Sequence, residues 1–230
     1  DKMDNILLDY SLIILSLVIT LLAQLYINYN YKKFSKKSNN TNITGAEVAR
    51  RILNSNELQN VGIEQVGGNL TDHYDPKNKV VRLSNDIYNG TSIAAVSVAA
   101  HECGHAIQDK KGYLFLRIRS AIIPIVNFAS YAGYFAILIG IFFSFLNALK
   151  IGIAMELIIL LFQIITLPVE FNASNRALKK IKELGLLDSN EITGGRKMLT
   201  SAAMTYVASV ASAIIQILRL LLILRGRDDD

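Results

Sequence analysis

The sequence predicts a mainly α membrane protein, with about four transmembrane helices and a small α+β region in water. Three observations predict it. Hydrophobic residues make up 51% of the 230 residues and charged residues only 19%, with mean hydropathy +0.32. The apolar residues gather into long blocks separated by polar stretches, which is the membrane pattern. Lys and Arg cluster beside alternate ends of those blocks. The net charge of +5 and pI near 9.2 would also suit a nucleic-acid binder. Because topology accounts for where the charges sit, no nucleic-acid partner is needed. Cys103 is the single cysteine, so an intrachain disulfide is excluded.

The first apolar block runs from Ile6 to about Ile27, within a span set at residues 6–29. It can cross a hydrocarbon core of ~30 Å at ~1.5 Å per residue. A cleavable signal peptide is the competing reading. The block is longer than a signal core, most of its flanking positive charge follows it, and no A-x-A site comes after, so a retained anchor is expected. Asp9 near its start can reach the interface. Further blocks run from about Ile122 to Leu146, Ile151 to Val169 and Ser201 to Leu224, giving spans at 120–147, 151–171 and 200–225. The short connection Asn147-Ala148-Leu149-Lys150 predicts an antiparallel hairpin of the second and third. Arg219 interrupts the fourth near its far end, where it can snorkel to the headgroups.

Orientation follows from the basic residues. Lys32, Lys33, Lys36 and Lys37 follow the first span, and Lys110, Lys111, Arg117 and Arg119 precede the second. Arg176, Lys179, Lys180, Lys182, Arg196 and Lys197 lie between the third and fourth. The other side holds Lys2, Lys150, Arg225 and Arg227, offset by Asp1, Asp4 and Asp228 to Asp230. A multi-pass plasma-membrane protein is expected, with residues 30–118 and a basic loop or helix at 172–199 in the cytoplasm and both termini outside.

The water-soluble region begins with a linker, Ser38 to Asn42. Thr44-Gly45-Ala46-Glu47 has capping-box spacing, and Val48, Ala49, Ile52 and Leu53 supply the apolar face of a short helix. Val61 to Val66 alternates like a strand, Gly67-Gly68 breaks it, and Asp75-Pro76-Lys77-Asn78 reads as a turn. Lys79 to Leu83 is another strand. Thr91 or Ser92 caps a helix running through about Lys110.

That last helix carries His101-Glu102-Cys103-Gly104-His105, an H-E-x-x-H. Imidazoles at i and i+4 share one helical face and can hold a single Zn²⁺ at ~2.0–2.1 Å. Glu102 can reach a water beside the metal as general base. A buried, satisfied histidine pair is the bland alternative, but two of only three histidines in the chain occupy the pattern. Cys103, at i+2, turns away from that face and reads as a packing residue. A catalytic zinc takes three protein ligands. The third is Glu170, at the end of the third span, or His73, in the polar stretch Asn69 to Pro76. Topology favours Glu170, because the hairpin returns it to the level of the histidines, and Pro168 can kink the span to aim it. His73 reads better as a turn residue or substrate contact.

Several strings resemble one bacterial family, the YugP-type neutral zinc metallopeptidases: Gly45 to Leu53, Gly67 to Pro76 (GGNLTDHYDP), Ala99 to Gln108 (AAHECGHAIQ) and Leu167 to Ser174 (LPVEFNAS). The resemblance covers nearly the whole chain and implies an integral membrane zinc peptidase with a zincin-like, gluzincin-type cytoplasmic region. More remotely the layout is similar to the HtpX and CAAX-prenyl-protease group, whose third ligand is the Glu of an E-x-x-x-D pattern. Glu170 matches that ligand, and Ser174 stands where the Asp would be. Ser174, or Asn172, could then hydrogen-bond a ligand histidine. By the same analogy, the strand Lys79 to Leu83 would offer its edge to an extended substrate.

These readings combine into an expectation of zinc-assisted peptide hydrolysis. His101, His105 and Glu170 would hold Zn²⁺, Glu102 would be the base, and Tyr206 or Arg176 would be candidates for oxyanion support. The expected partners are the lipid bilayer, a protein or peptide substrate and a regulatory membrane protein. Two other readings compete. One is an intramembrane protease with its zinc inside the bilayer, although Ile93 to Ile107 is too short and polar for a span. The other is a non-catalytic zinc-binding scaffold, which would have no use for Glu102.

Overall fold

Long helices dominate the computed structural model, which describes residues 2–228. The terminal charges weighed for orientation (Asp1, Lys2, Asp4, Arg227 and Asp228 to Asp230) lie outside the described residues and side chains. In chain order the elements are α1 (Lys2–Ser35), α2 (Gly45–Asn54), β1 (Gly62–Val66), β2 (His73–Asp75) and β3 (Val80–Ser84). They continue with α3 (Asn85–Tyr88), α4 (Ile93–Lys110), α5 (Leu114–Phe142), α6 (Leu146–Glu183) and α7 (Ser189–Asp228). The chain divides into two units, with α1, α5, α6 and α7 running through or up to both.

The membrane unit comprises Asp1–Gln24, Ile118–Leu167 and Thr205–Asp230. Among the described residues, four helices are long and apolar enough to cross a membrane: Leu7–Ser35, Leu114–Phe142, Leu146–Glu183 and Ser189–Gly226. Their outward faces are apolar, as at Leu17, Phe128 and Leu161, which suits contact with lipid. The α5 and α6 backbones meet through glycines. A Cβ added at Gly152 would stand 2.5 Å from Ile137 Cγ1, and one at Gly140 would stand 2.8 Å from the Leu149 nitrogen. Small residues at a crossing are how membrane helices gain close contact. The break between these two helices falls at residues 143–145 rather than at Asn147 to Lys150. Ser144 turns the chain with a positive φ of 53°, and Leu149 is fully buried within α6. Arg219 does not stand alone: its guanidinium pairs with Asp9 at 2.8 Å and donates to Gln216. Thr20 and Ser212 form a second polar link between α1 and α7.

The other unit comprises Leu25–Arg117 and Pro168–Met204. Its α2 forms for the reason its sequence announces. Thr44 accepts the Glu47 backbone N–H, Glu47 accepts the Thr44 N–H in return, and Val48, Ala49, Ile52 and Leu53 are fully buried. The sheet order is β1-β3-β2, with β1 parallel and β2 antiparallel to β3. The expectation that Lys79 to Leu83 offers a free edge is therefore overturned. Both sides of β3 are already paired, because His73 to Asp75 in the supposed turn forms a strand beside it. The sheet's outer strands are β1 and β2. The core lies around α4, whose Ala94, Ala95, Ala99 and Ala100 are fully buried against α2, Val81 and Leu83.

Between the third and fourth spans the chain stays helical. α6 continues to Glu183, Gly185 turns it with φ 59°, and Asp188 caps α7 by accepting the N–H groups of Asn190 and Glu191.

Candidate metal centre

Helix α4 is capped by Ser92, whose hydroxyl accepts the Ala95 N–H. Two turns on, it presents His101 and His105 on one face, their ring centroids 4.8 Å apart and nearly perpendicular. The third member comes from α6. Glu170 Oε2 lies 3.1 Å from His101 Nε2 and 3.6 Å from His105 Nε2, and the carboxylate is almost wholly buried. Among the described residues these three form the one group of His, Cys, Asp or Glu side chains able to hold a metal, with all ligand atoms within 4.8 Å of one another.

A glycine makes that meeting possible. At Gly104 an added Cβ would stand 2.5 Å from the carbonyl oxygen of Ala173 and 3.1 Å from its Cα. α4 and α6 therefore touch backbone to backbone between the histidines and the carboxylate.

Hydrogen bonds hold the rings from behind. Gln108 uses both amide protons, one on the Val169 carbonyl at 2.8 Å and one on Asn172 Oδ1 at 3.0 Å. Its own oxygen then faces His105 Nδ1 at 3.0 Å, so Nδ1 carries a proton and Nε2 is the nitrogen left for a metal. Arg176 Nε donates to the same Asn172 oxygen at 2.7 Å. Ser174 Oγ lies 3.2 Å from His101 Nδ1.

The model for the family described as "Putative neutral zinc metallopeptidase" matches residues 9–225. The chain belongs to this family. It is 46% identical over 220 residues to "Putative membrane protease YugP" of Bacillus subtilis (strain 168), covering 95% of this chain and 98% of that protein. No solved structure matches the chain.

The family's description implies a zinc ion, and the residues present fit that ion. Two imidazoles and a carboxylate are a zinc donor set. Tetrahedral ligands at ~2.0–2.1 Å from a centre stand about 3.3 Å apart. The separations of 3.1 and 3.6 Å from Glu170 bracket that value.

Glu102 is nearly buried next to this group, and it takes a hydrogen bond from the Tyr74 backbone. Burial pushes its carboxyl up to about 7. The charge of Glu170 adds to the rise, and His101 and the Tyr74 bond oppose it. Cys103 is fully buried, with Sγ toward the Ala49 carbonyl, and burial drives its thiol far above the usual range. That suits a packing role.

The other sequence candidates are not members of the ligand group. His73 sits on β2 with an exposed side chain and binds the Thr71 carbonyl through Nδ1 at 2.8 Å, outside the ligand group. Asn172 touches no histidine and acts through Gln108. Arg176 is tied to Asn172. Tyr206 lies on α7 in the membrane unit, half-buried. Gln108 is the participant that sequence reasoning missed. Its signal was only its place, three residues after His105 and thus on nearly the same face.

Proposed function

We propose that this protein is a zinc-dependent endopeptidase of the membrane, with His101, His105 and Glu170 as metal ligands and Glu102 as general base. The observation that carries it is the convergence of two imidazole rings and one buried carboxylate, with Gln108 behind His105. When bound there, zinc would supply Lewis acidity toward a carbonyl oxygen and a water. Glu102 takes the proton of the attacking water on a carboxylate oxygen. It then delivers that proton to the amine nitrogen as the peptide C–N bond breaks. Gln108 and Ser174 hold the two imidazoles in orientation. The sheet edge suited to an extended substrate is that of β2, whose Tyr74 N–H already points at Glu102.

In this reading the catalytic region is zincin-like and gluzincin-type, built on residues 30–118 with the α6 ligand segment. It faces the cytoplasm because Lys32, Lys33, Lys36, Lys37, Lys110 and Lys111 lie on that side of the spans.

Purified protein in detergent tests the assignment. It should hold about one zinc per chain and cleave an unfolded protein such as casein. Glu102→Gln should keep the zinc and lose cleavage, and a chelator should abolish both. Wild-type turnover in Glu102→Gln would remove Glu102 as the base, whereas a zinc-loaded wild type that cleaves nothing would favour a scaffold role.

A further inference from the structure

A cavity of about 510 Å³ opens in the water-exposed unit beside the end of α1 and the start of α7, and none of its lining residues belongs to the metal centre. That volume lies in the range of small-ligand sites, about 300–1,000 Å³. Its floor is apolar and closely built. Phe34 and Ile93 are buried, and a Cβ added at Gly194 would stand 2.8 Å from the Phe34 ring.

The charged lining is asymmetric in what remains available. The two carboxylates, Asp188 and Glu191, are committed: Asp188 caps α7 and accepts the Asn40 side chain, while Glu191 accepts the backbone N–H groups of Asn40 and Asp188. The three cations, Lys33, Lys37 and Lys197, pair with no carboxylate among the described residues. Lys33 only overlies the Tyr29 and Phe34 rings, at 5.6 and 5.8 Å. With three lysines against two carboxylates engaged by neutral N–H donors, the cavity offers a net positive charge above an apolar floor.

Depth along the helices says what anion would meet it. The apolar run of α1 ends at Ile27, and Lys33 follows six residues later, about 9 Å along the axis at ~1.5 Å per residue. The apolar run of α7 opens near Ser201, and Lys197 precedes it by four residues, about 6 Å at ~1.5 Å per residue. The headgroup layer occupies roughly the first 5–7 Å outside the hydrocarbon, and a lysine side chain bridges the difference. Both helices thus present their lysines at the level of lipid phosphates.

We infer that this cavity binds the phosphate of an anionic phospholipid headgroup, with Lys33, Lys37 and Lys197 as its cationic ligands. Basic pockets beside membrane helices recognise headgroups in this way. An occupant would tie the end of α1 to the start of α7 and to Ile93, the first residue of the helix that carries His101 eight residues on. The inference stands independently of the peptidase assignment.

The test uses the full chain in nanodiscs of phosphatidylcholine, with or without phosphatidylglycerol, read by native mass spectrometry of retained lipid and by the thermal unfolding midpoint. The wild type should retain phosphatidylglycerol and unfold at higher temperature with it. K33Q/K37Q/K197Q should bind it about 100-fold more weakly, and Lys197→Gln alone about fivefold, at about a factor of five per lysine. K32Q/K36Q/K182Q removes equal charge outside the cavity and should behave as wild type. Equal loss in that control, or full retention in the cavity variants, would overturn the site. So would millimolar inorganic phosphate reproducing the stabilisation in phosphatidylcholine alone, since the ligand would then be a free anion.

Discussion

Replacing Gly104 by Ala tests whether the approach of two backbones sets the metal geometry. The new Cβ would meet the Ala173 carbonyl oxygen at 2.5 Å. An ordinary carbon–oxygen contact is about 3.3–3.6 Å, so α4 and α6 must separate by about 1 Å, with no side chain able to rotate out of the way. Ala is favoured over Gly inside a helix by about 1 kcal/mol, while overpacking costs about 1–3 kcal/mol. The net loss of stability is then at most about 2 kcal/mol, and the fold should survive. The ligands should suffer more. Glu170 lies one turn from Ala173 on α6, and a shift of ~1 Å carries its oxygen well outside the ~3.3 Å spacing that a tetrahedral ion requires. Zinc affinity should fall by about 10–100-fold, the scale seen when support around a ligand is lost. Competition with a zinc chelator measures this in detergent, with thermal unfolding run in parallel. Wild-type zinc affinity in Gly104→Ala would refute the reasoning, because the ligand geometry would then not depend on how closely the helices meet.

Two further perturbations address the other supports. Gln108→Leu removes the acceptor that fixes the His105 tautomer, so zinc affinity should drop about 10–100-fold while the helical circular dichroism is kept. An unchanged affinity would mean the ring needs no such partner. Asp9→Leu strips Arg219 of its carboxylate, and the unfolding temperature should fall by the equivalent of about 1–3 kcal/mol. Adding Arg219→Leu should recover most of the loss, and failure of that rescue would show that the pair contributes through packing rather than charge.

Much of this was legible in the sequence because the signals were local. Apolar runs gave the four long helices, Thr44 and Glu47 gave the capping box, and the spacing of His101 and His105 put both rings on one face. Glu170 could be brought near them only through topology, since 69 residues separate it from His101. What stayed hidden depended on pairing between distant segments. β2 is three residues long, sits in a polar stretch before Pro76, and is a strand only because β3 accepts it. Overlooking it made β3 look like an edge. Gln108 reads as one more polar residue on α4 until the Val169 carbonyl and Asn172 arrive from α6. Gly104 resembles any small residue inside the motif until Ala173 is in place.

The chain of contacts from Arg176 through Asn172 and Gln108 to His105 runs entirely between protein groups. None of these supports is routed through the ion. Small zinc modules fold only when they are loaded, whereas this chain already has a large apolar interior around α4. Stripping the ion should therefore leave the chain folded, so loss of metal would cost it the centre and not the fold.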